Sequence, residues 1–272
     1  MPEPMRREPT GGAPRLPTLF LSHGSPMHAI APGAAGDAWA ALGERLARPA
    51  AVLMCSAHWE TSLPMVSGSA RPETVHDFAG FPEALYELRY PAPGDPALAA
   101  RCVGLLKDAG LTAGIDGCHG LDHGAWVPLR WMFPDATIPV VQIAVQPGRG
   151  AAHHVAMGRA LAPLRDEGVL IVGSGHATHN LRDWMSRRAE AEPLPYAVEF
   201  AQWLDNALVA HDEAALVDYR AQAPGAARAH PTEEHLLPLF VAWAAGGAQP
   251  NVERVVEGFE HGALALASYL FA

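Results

Sequence analysis

Short apolar runs, each broken off by a turn that carries a histidine, set the strongest limit on what this chain can fold into. Residues 16–27 read LPTLFLSHGSPM, an apolar run over 16–21 followed by Ser22, His23, Gly24, Ser25 and Pro26. A run of this kind reads as a buried strand entering a loop. Residues 51–59, AVLMCSAHW, repeat the design, with a strand over 51–56 and His58 just past it. Residues 169–174, VLIVGS, do so again and lead into His176 and His179. Residues 138–145, IPVVQIAV, are the most strand-like run in the chain. Helical spacing fills the intervals at 36–46, 96–109, 125–133, 151–167, 195–210, 212–219 and 231–245. Strand, helix and strand in succession predict right-handed crossovers and parallel neighbours, hence an α/β fold. The histidines then fall at strand ends, where open α/β sheets hold their ligands.

The chain has 272 residues, 49% of them hydrophobic, so a sizeable core is available. No internal repeat or low-complexity segment divides it, and one domain over 16–272 with a flexible tail over 1–15 is expected. The net charge of -10 builds no basic footprint, which argues against nucleic acid as a partner. No apolar run approaches the roughly 20 residues of a membrane span. The start, MPEPMRREPTGGAPR, lacks the apolar stretch of a secretory signal. Three cysteines with no C-x-x-C spacing give no disulfide framework, which fits a reducing cytosol. Cys55, inside a strand, is read as a core residue.

Five of the 14 histidines sit in Gly- or Pro-marked turns: His23, His58, His123, His176 and His179. Taken singly, each fits a hydrogen-bonded turn. Delivered together to one sheet edge, they form a cluster, and neutral imidazole is the commonest protein ligand of transition metals. Residues 71–93 form a long connection with Phe78, Phe81, Tyr86 and Tyr90. Long loops of this kind are often functional. This one either walls a planar substrate or is pinned to the core by its aromatics.

In motif order the chain resembles the class III extradiol ring-cleaving dioxygenases, LigB-like enzymes, in the subgroup of DOPA-type extradiol dioxygenases. The matching pieces are HGSPM at 23–27, SAHW at 56–59, DFAGFPEALYELRYP at 77–91 and GLDHGAWVPL at 120–129. IPVVQIAV at 138–145, GSG and HNL within 173–181, and HPTEEHLLPL at 230–239 complete the series. The resemblance implies a three-layer α/β/α sandwich with a mixed, largely parallel sheet. It implies His23, His58 and His235 as metal ligands, His123 as the catalytic acid/base, and His179 as a second catalytic histidine of the same pocket. It implies Fe(II) for activity, with Zn(II) able to occupy the site. The partners would be a small aromatic diol and O2, and the product a muconic semialdehyde-type acid.

Many class III enzymes bind their metal through two histidines and a glutamate. Here the third ligand would be His235, preceded by Glu233 and Glu234 and placed one turn inside a helix capped by Thr232. Three neutral ligands suit zinc as well as iron. A zinc-dependent hydrolase using the same three histidines is therefore the alternative, although no H-E-x-x-H helix supports it. His176 is a further departure and has no role assigned. Arg89 and Arg182 are the candidates to meet a substrate carboxylate. Trp59 and Trp126 are expected to pack beneath their neighbouring histidines.

Overall fold

The computed structural model describes residues 15–272. The tail expected over 1–15 therefore lies, apart from Arg15, outside the described residues. The strands are β1 (Thr18–Ser22), β2 (Ala51–Glu60), β3 (Met65–Ser67), β4 (Gly114–Asp116), β5 (Val140–Val145), β6 (Val169–Gly175), β7 (Val252–Val256), β8 (Phe259–Glu260), β9 (Leu264–Ala265) and β10 (Ser268–Phe271). Eight of them form one sheet in the order β4-β3-β5-β2-β6-β1-β10-β7, and β8 and β9 make a separate hairpin.

The centre of the sheet, β5-β2-β6-β1, is parallel throughout. At the flanks β3 runs antiparallel to β5, and β10 runs antiparallel to β1. The apolar C-terminal stretch thus supplies a strand beside β1. Alternate residues of each central strand serve two cores. Leu53, Cys55, Ile143 and Ile171 face the helices Gly150–Leu161 and Leu237–Ala245. Val52, Met54, Leu170 and Val172 face the helices Gly33–Arg45 and His123–Met132. The result is the expected three-layer α/β/α sandwich. Burial on both faces explains why these strands read as continuous apolar runs. Among the described residues no helix is long and apolar enough to cross a membrane.

Three local differences from the expected elements matter at the sheet edge. First, β2 continues to Glu60, with its register against β5 broken between Ser56 and Glu60. His58 lies in that break, and irregularities of this kind re-aim a side chain. Second, the helix expected from 125 starts at His123, capped by the Asp122 carboxylate, which accepts from the Ala125 amide. Third, the helix expected from 231 starts at Leu237, so His235 sits in an irregular turn before it. Thr232 is not its cap; its hydroxyl donates to the Glu234 carboxylate instead.

Candidate metal centre

Because β2, β6 and β1 are adjacent and parallel, their carboxyl ends meet at one edge. His23 follows β1, His58 lies near the end of β2, and His176 and His179 follow β6. The chain then brings His235 against this edge by backbone: the His176 amide donates to the His235 carbonyl over 2.8 Å. A side chain on Gly175 would begin 2.0 Å from that carbonyl oxygen, so the approach needs a glycine. Gly124 is under the same constraint, since a Cβ there would meet Ser56 Oγ at 2.6 Å and the His58 ring at 3.1 Å.

His23, His58 and His235 each offer one ring nitrogen, and these nitrogens all lie within 4.8 Å of one another. His23 Nε2 and His58 Nε2 are 3.0 Å apart. Two imidazole nitrogens bound about 2.1 Å from one ion, roughly at right angles, would be about 3.0 Å apart. Hydrogen bonding assigns the tautomers. Pro128, the sixth residue of its helix, has no amide hydrogen to give the Gly124 carbonyl. The Ser174 hydroxyl donates to that carbonyl instead. With its proton committed there, Ser174 Oγ accepts from His23 Nδ1 over 2.9 Å, which leaves the His23 Nε2 lone pair free. His235 Nδ1 donates to the Glu234 carboxylate over 2.9 Å, with the same consequence. The Asp77 carboxylate, 3.4 Å from His58 Nδ1, draws the remaining ring proton of His58 to that side. Outward Nδ1–H groups held by oxygen acceptors, with Nε2 turned inward, are the usual orientation of metal-binding histidines.

Burial keeps these rings neutral. Desolvation, then the neighbouring histidines, hold His23 and His235 well below the ordinary imidazole range, and His58 falls to about 3. Neutral, unprotonated imidazoles facing one another at contact distance are a donor set that a divalent cation satisfies.

His123 lies beside this group, its ring centroid 4.0 Å from that of His58. One oxygen of Asp77 accepts from the His123 amide over 2.9 Å, and the other accepts from His123 Nδ1 over 3.0 Å. Burial alone would raise the Asp77 pKa, but its bonds and charge interactions with His123 and His58 outweigh that and bring it down to about 2. Asp77 is the residue that sequence reasoning missed. It stood inside the quoted motif at 77–91, but nothing local marked it as a partner for a histidine 46 positions on.

His179 stacks on His235, centroids 3.4 Å apart, and burial lowers its pKa to about 2. His176 does not face the cluster as a donor. Its Nε2 accepts from the Gly24 amide over 2.9 Å, so it fixes the turn that follows His23. His230 is fully buried and bonds to the Ala177 carbonyl. His154 is fully buried and accepts from the Gln146 amide. Trp59 packs against His119, at 3.7 Å and nearly parallel, rather than beneath His58.

The histidines open onto a cavity of about 590 Å³. Phe78 and Phe81 wall one side, and Phe78 meets the His123 ring edge-on at 5.7 Å. Leu181, Trp184, Met185 and Leu264 also line the cavity. The aromatic loop is thus divided in its duties: Phe78 and Phe81 line the cavity, while buried Tyr90 donates to the Phe133 carbonyl. Neither Arg89 nor Arg182 lines the cavity; Arg89 donates to the carbonyls of Tyr86 and Leu88.

One consequence is acid sensitivity of the metal-free fold. Burial is the main cause holding His154 and His176 to about 4 and His230 to about 3. In the unfolded chain each titrates near its ordinary value of about 6.5. Above that pH all are neutral in both states, and their contribution to stability is complete. Below it the unfolded chain takes up protons that the fold refuses, so stability falls as pH drops toward the folded values. Each group costs up to about 1.4 kcal/mol per pH unit in that window. Thermal unfolding of chelator-treated protein should show a midpoint lower by about 10 °C or more at pH 5 than at pH 7.5. An unchanged midpoint would contradict neutral burial of these rings.

Inward imidazoles under an aromatic wall fit one class of protein, the metal-dependent enzymes that act on planar organic molecules. Residues 17–272 match the family described as the catalytic LigB subunit of aromatic ring-opening dioxygenase, and the chain belongs to that family. It is 42% identical to the 4,5-DOPA dioxygenase extradiol of Portulaca grandiflora over 267 residues, 93% of this chain and 95% of that one. It is also 42% identical to the Escherichia coli K12 protein of the same name, over 93% of this chain and 94% of that one. Among solved structures, an uncharacterized protein of Escherichia coli K12 superposes with a TM-score of 0.78 at 35% identity. That match covers 95% of this chain and all of the other. The chain is therefore an oxidoreductase, a ring-opening dioxygenase of the extradiol kind, and the hydrolase alternative is not favoured.

Proposed function

We propose that His23, His58 and His235 hold one Fe(II) ion, which Zn(II) can replace without supporting turnover, and that His123 and His179 act on a catechol bound beside it. The substrate is a DOPA-like or similarly substituted catechol, in keeping with the names of the relatives. The observation that carries this reading is the pair of lone-pair-bearing Nε2 atoms of His23 and His58, 3.0 Å apart with His235 alongside. Bound there, Fe(II) acidifies the catechol hydroxyls and supplies the electron transfer between catechol and O2.

The chain's own groups position the substrate and move protons. Phe78 and Phe81 border the planar ring and keep bulk water from it. Asp77 fixes the His123 proton on Nδ1 and so presents Nε2 as the base. His123 Nε2 takes a catechol hydroxyl proton and, once charged, is stabilised by the ionised Asp77. It would then return the proton to the dioxygen-derived oxygen freed as the O–O bond breaks and the ring opens. His179, held neutral by burial, orients an oxygen of the substrate by hydrogen bonding rather than storing a proton.

Asp77 is a positioning residue in this scheme. Asp77→Asn should lower kcat by about a hundredfold or more and should move the pH dependence of kcat, because the His123 cation loses its counter-charge. A variant with parental kcat and an unmoved profile would remove Asp77 from the mechanism. The function itself is tested by oxygen uptake on a catechol panel after anaerobic Fe(II) loading, with absorbance following the yellow ring-opened product. Catechol-dependent uptake with colour is expected. Chelator-sensitive ester or amide hydrolysis without uptake would favour the hydrolase.

Strands from both ends of the 16–272 range share one sheet, which supports a single catalytic domain there. Cys55, Cys102 and Cys118 are free thiols, and exposed Cys118 fits a reducing cytosol.

A further inference from the structure

The cavity over the histidines has an unexpected charge inventory. Among the described residues no lysine or arginine lines it, and its one carboxylate is Glu260, on β8. Glu260 stands over the turn that follows His23: a side chain on Gly24 would begin 3.3 Å from Glu260 Oε1. That oxygen is held by His28 Nε2, and His28 is in turn anchored through Nδ1 to the Pro32 carbonyl. The other oxygen, Oε2, is buried and has no hydrogen-bond donor. A buried carboxylate oxygen without a donor is costly to leave so. The terminal torsion of a glutamate is soft, so a guest in the cavity can draw that oxygen toward it as the Oε1 bond to His28 re-aims. The surroundings suit a cation. Trp184 lines the same cavity and packs at 4.6 Å on His261, the neighbour of Glu260, and indoles attract cations. Leu264, paired with Glu260 across the hairpin, adds apolar surface for a short alkyl chain.

We propose that Glu260 reads the substituent on the substrate ring: its carboxylate takes the protonated amine of an aminoalkyl catechol, so the site selects cationic over anionic catechols. This rests on the ring-opening reading of the site and adds to it the class of side chain accepted. The amine hydrogen goes to Oε2 as a charge-assisted bond. An acid side chain in the same place would meet Glu260 with like charge, and His28, the cation-forming group beside it, is already bonded to Glu260.

The test compares dopamine, 3,4-dihydroxyphenylacetate and 4-methylcatechol on the full chain. Anaerobic calorimetry with the redox-inert Zn(II)-loaded protein gives Kd, and the Fe(II)-loaded enzyme gives kcat/KM. Dopamine should bind at least about tenfold more tightly than 3,4-dihydroxyphenylacetate, with 4-methylcatechol between them. In Glu260→Gln the ratio of the dopamine and 3,4-dihydroxyphenylacetate constants should fall to within about threefold. The parental comparison needs no variant, so it decides the matter even if the substitution disturbs the hairpin. Binding and cleavage of all three with no amine preference overturns the role of Glu260 and leaves ring opening intact. Failure to bind or cleave any catechol overturns both.

Discussion

His123→Phe is expected to lower kcat by about a thousandfold while leaving the bound metal at the parental level. His123 is not one of the three proposed ligands, and its Nδ1 is already committed to Asp77. On the proposed role, the substitution removes the proton acceptor beside the substrate, together with the dipole that Asp77 stabilises. Phe fills the same space at the head of the His123–Met132 helix and keeps the edge-on contact with Phe78, so the fold should hold. The measurements are single-turnover rates with a saturating catechol, plus metal analysis by plasma emission. Retained metal with turnover near the parental rate would take the acid/base role away from His123. Lost metal would mean that His123 is itself a ligand.

His235→Ala should abolish turnover and weaken metal binding by about a hundredfold or more. Three effects add at this position. One inward donor is lost. Glu234 loses the Nδ1–H that it accepts, leaving a carboxylate of 14% side-chain exposure without that partner. The stacked His179 ring loses the surface it lies on. The backbone contact that seats this turn, from the His176 amide to the residue-235 carbonyl, survives truncation, so a folded protein with a defective site is expected. Metal titration under anaerobic conditions, with circular dichroism as the fold control, separates a site defect from unfolding. Parental metal affinity in a folded variant would remove His235 from the ligand set.

The comparison of these two positions shows how much of the site was legible in the sequence. The strand-end positions of His23 and His58 could be read from local pattern alone, because an apolar run ending in a Gly- or Pro-marked turn places its histidine there. His235 could not. Thr232, Glu233 and Glu234 imitate a helix start, and residues 231–245 read as one helix. Pro238 carried the contrary signal, since a helix from 231 would place it where an amide hydrogen is needed; the chain instead starts its helix at Leu237, with Pro238 in the first turn. Yet Pro128 lies deep in its own helix without ending it, because Ser174, from a distant strand, donates to the carbonyl left free. The same residue type gives opposite outcomes, and only the tertiary neighbour decides.

Asp77, Glu234 and Ser174 were invisible for a related reason: each acts on a ring across the fold or by a bond that residue type does not announce. The three-layer architecture was legible because continuous apolar strands and amphipathic helices encode it locally. The C-terminal strand β10 was not, since its pairing with β1 joins the two ends of the described chain.

X-ray absorption at the metal edge of the Fe(II)-loaded protein tests the central assignment most directly. Three imidazoles from remote parts of the chain on one ion predict a first shell fitted by about three histidine nitrogens near 2.1 Å plus oxygen ligands, with one ion per chain. Substitution of His23, His58 or His235 singly by Ala should each remove imidazole scattering or the ion itself. A first shell without imidazole scattering, or an ion whose spectrum and stoichiometry survive all three substitutions, would contradict the assignment.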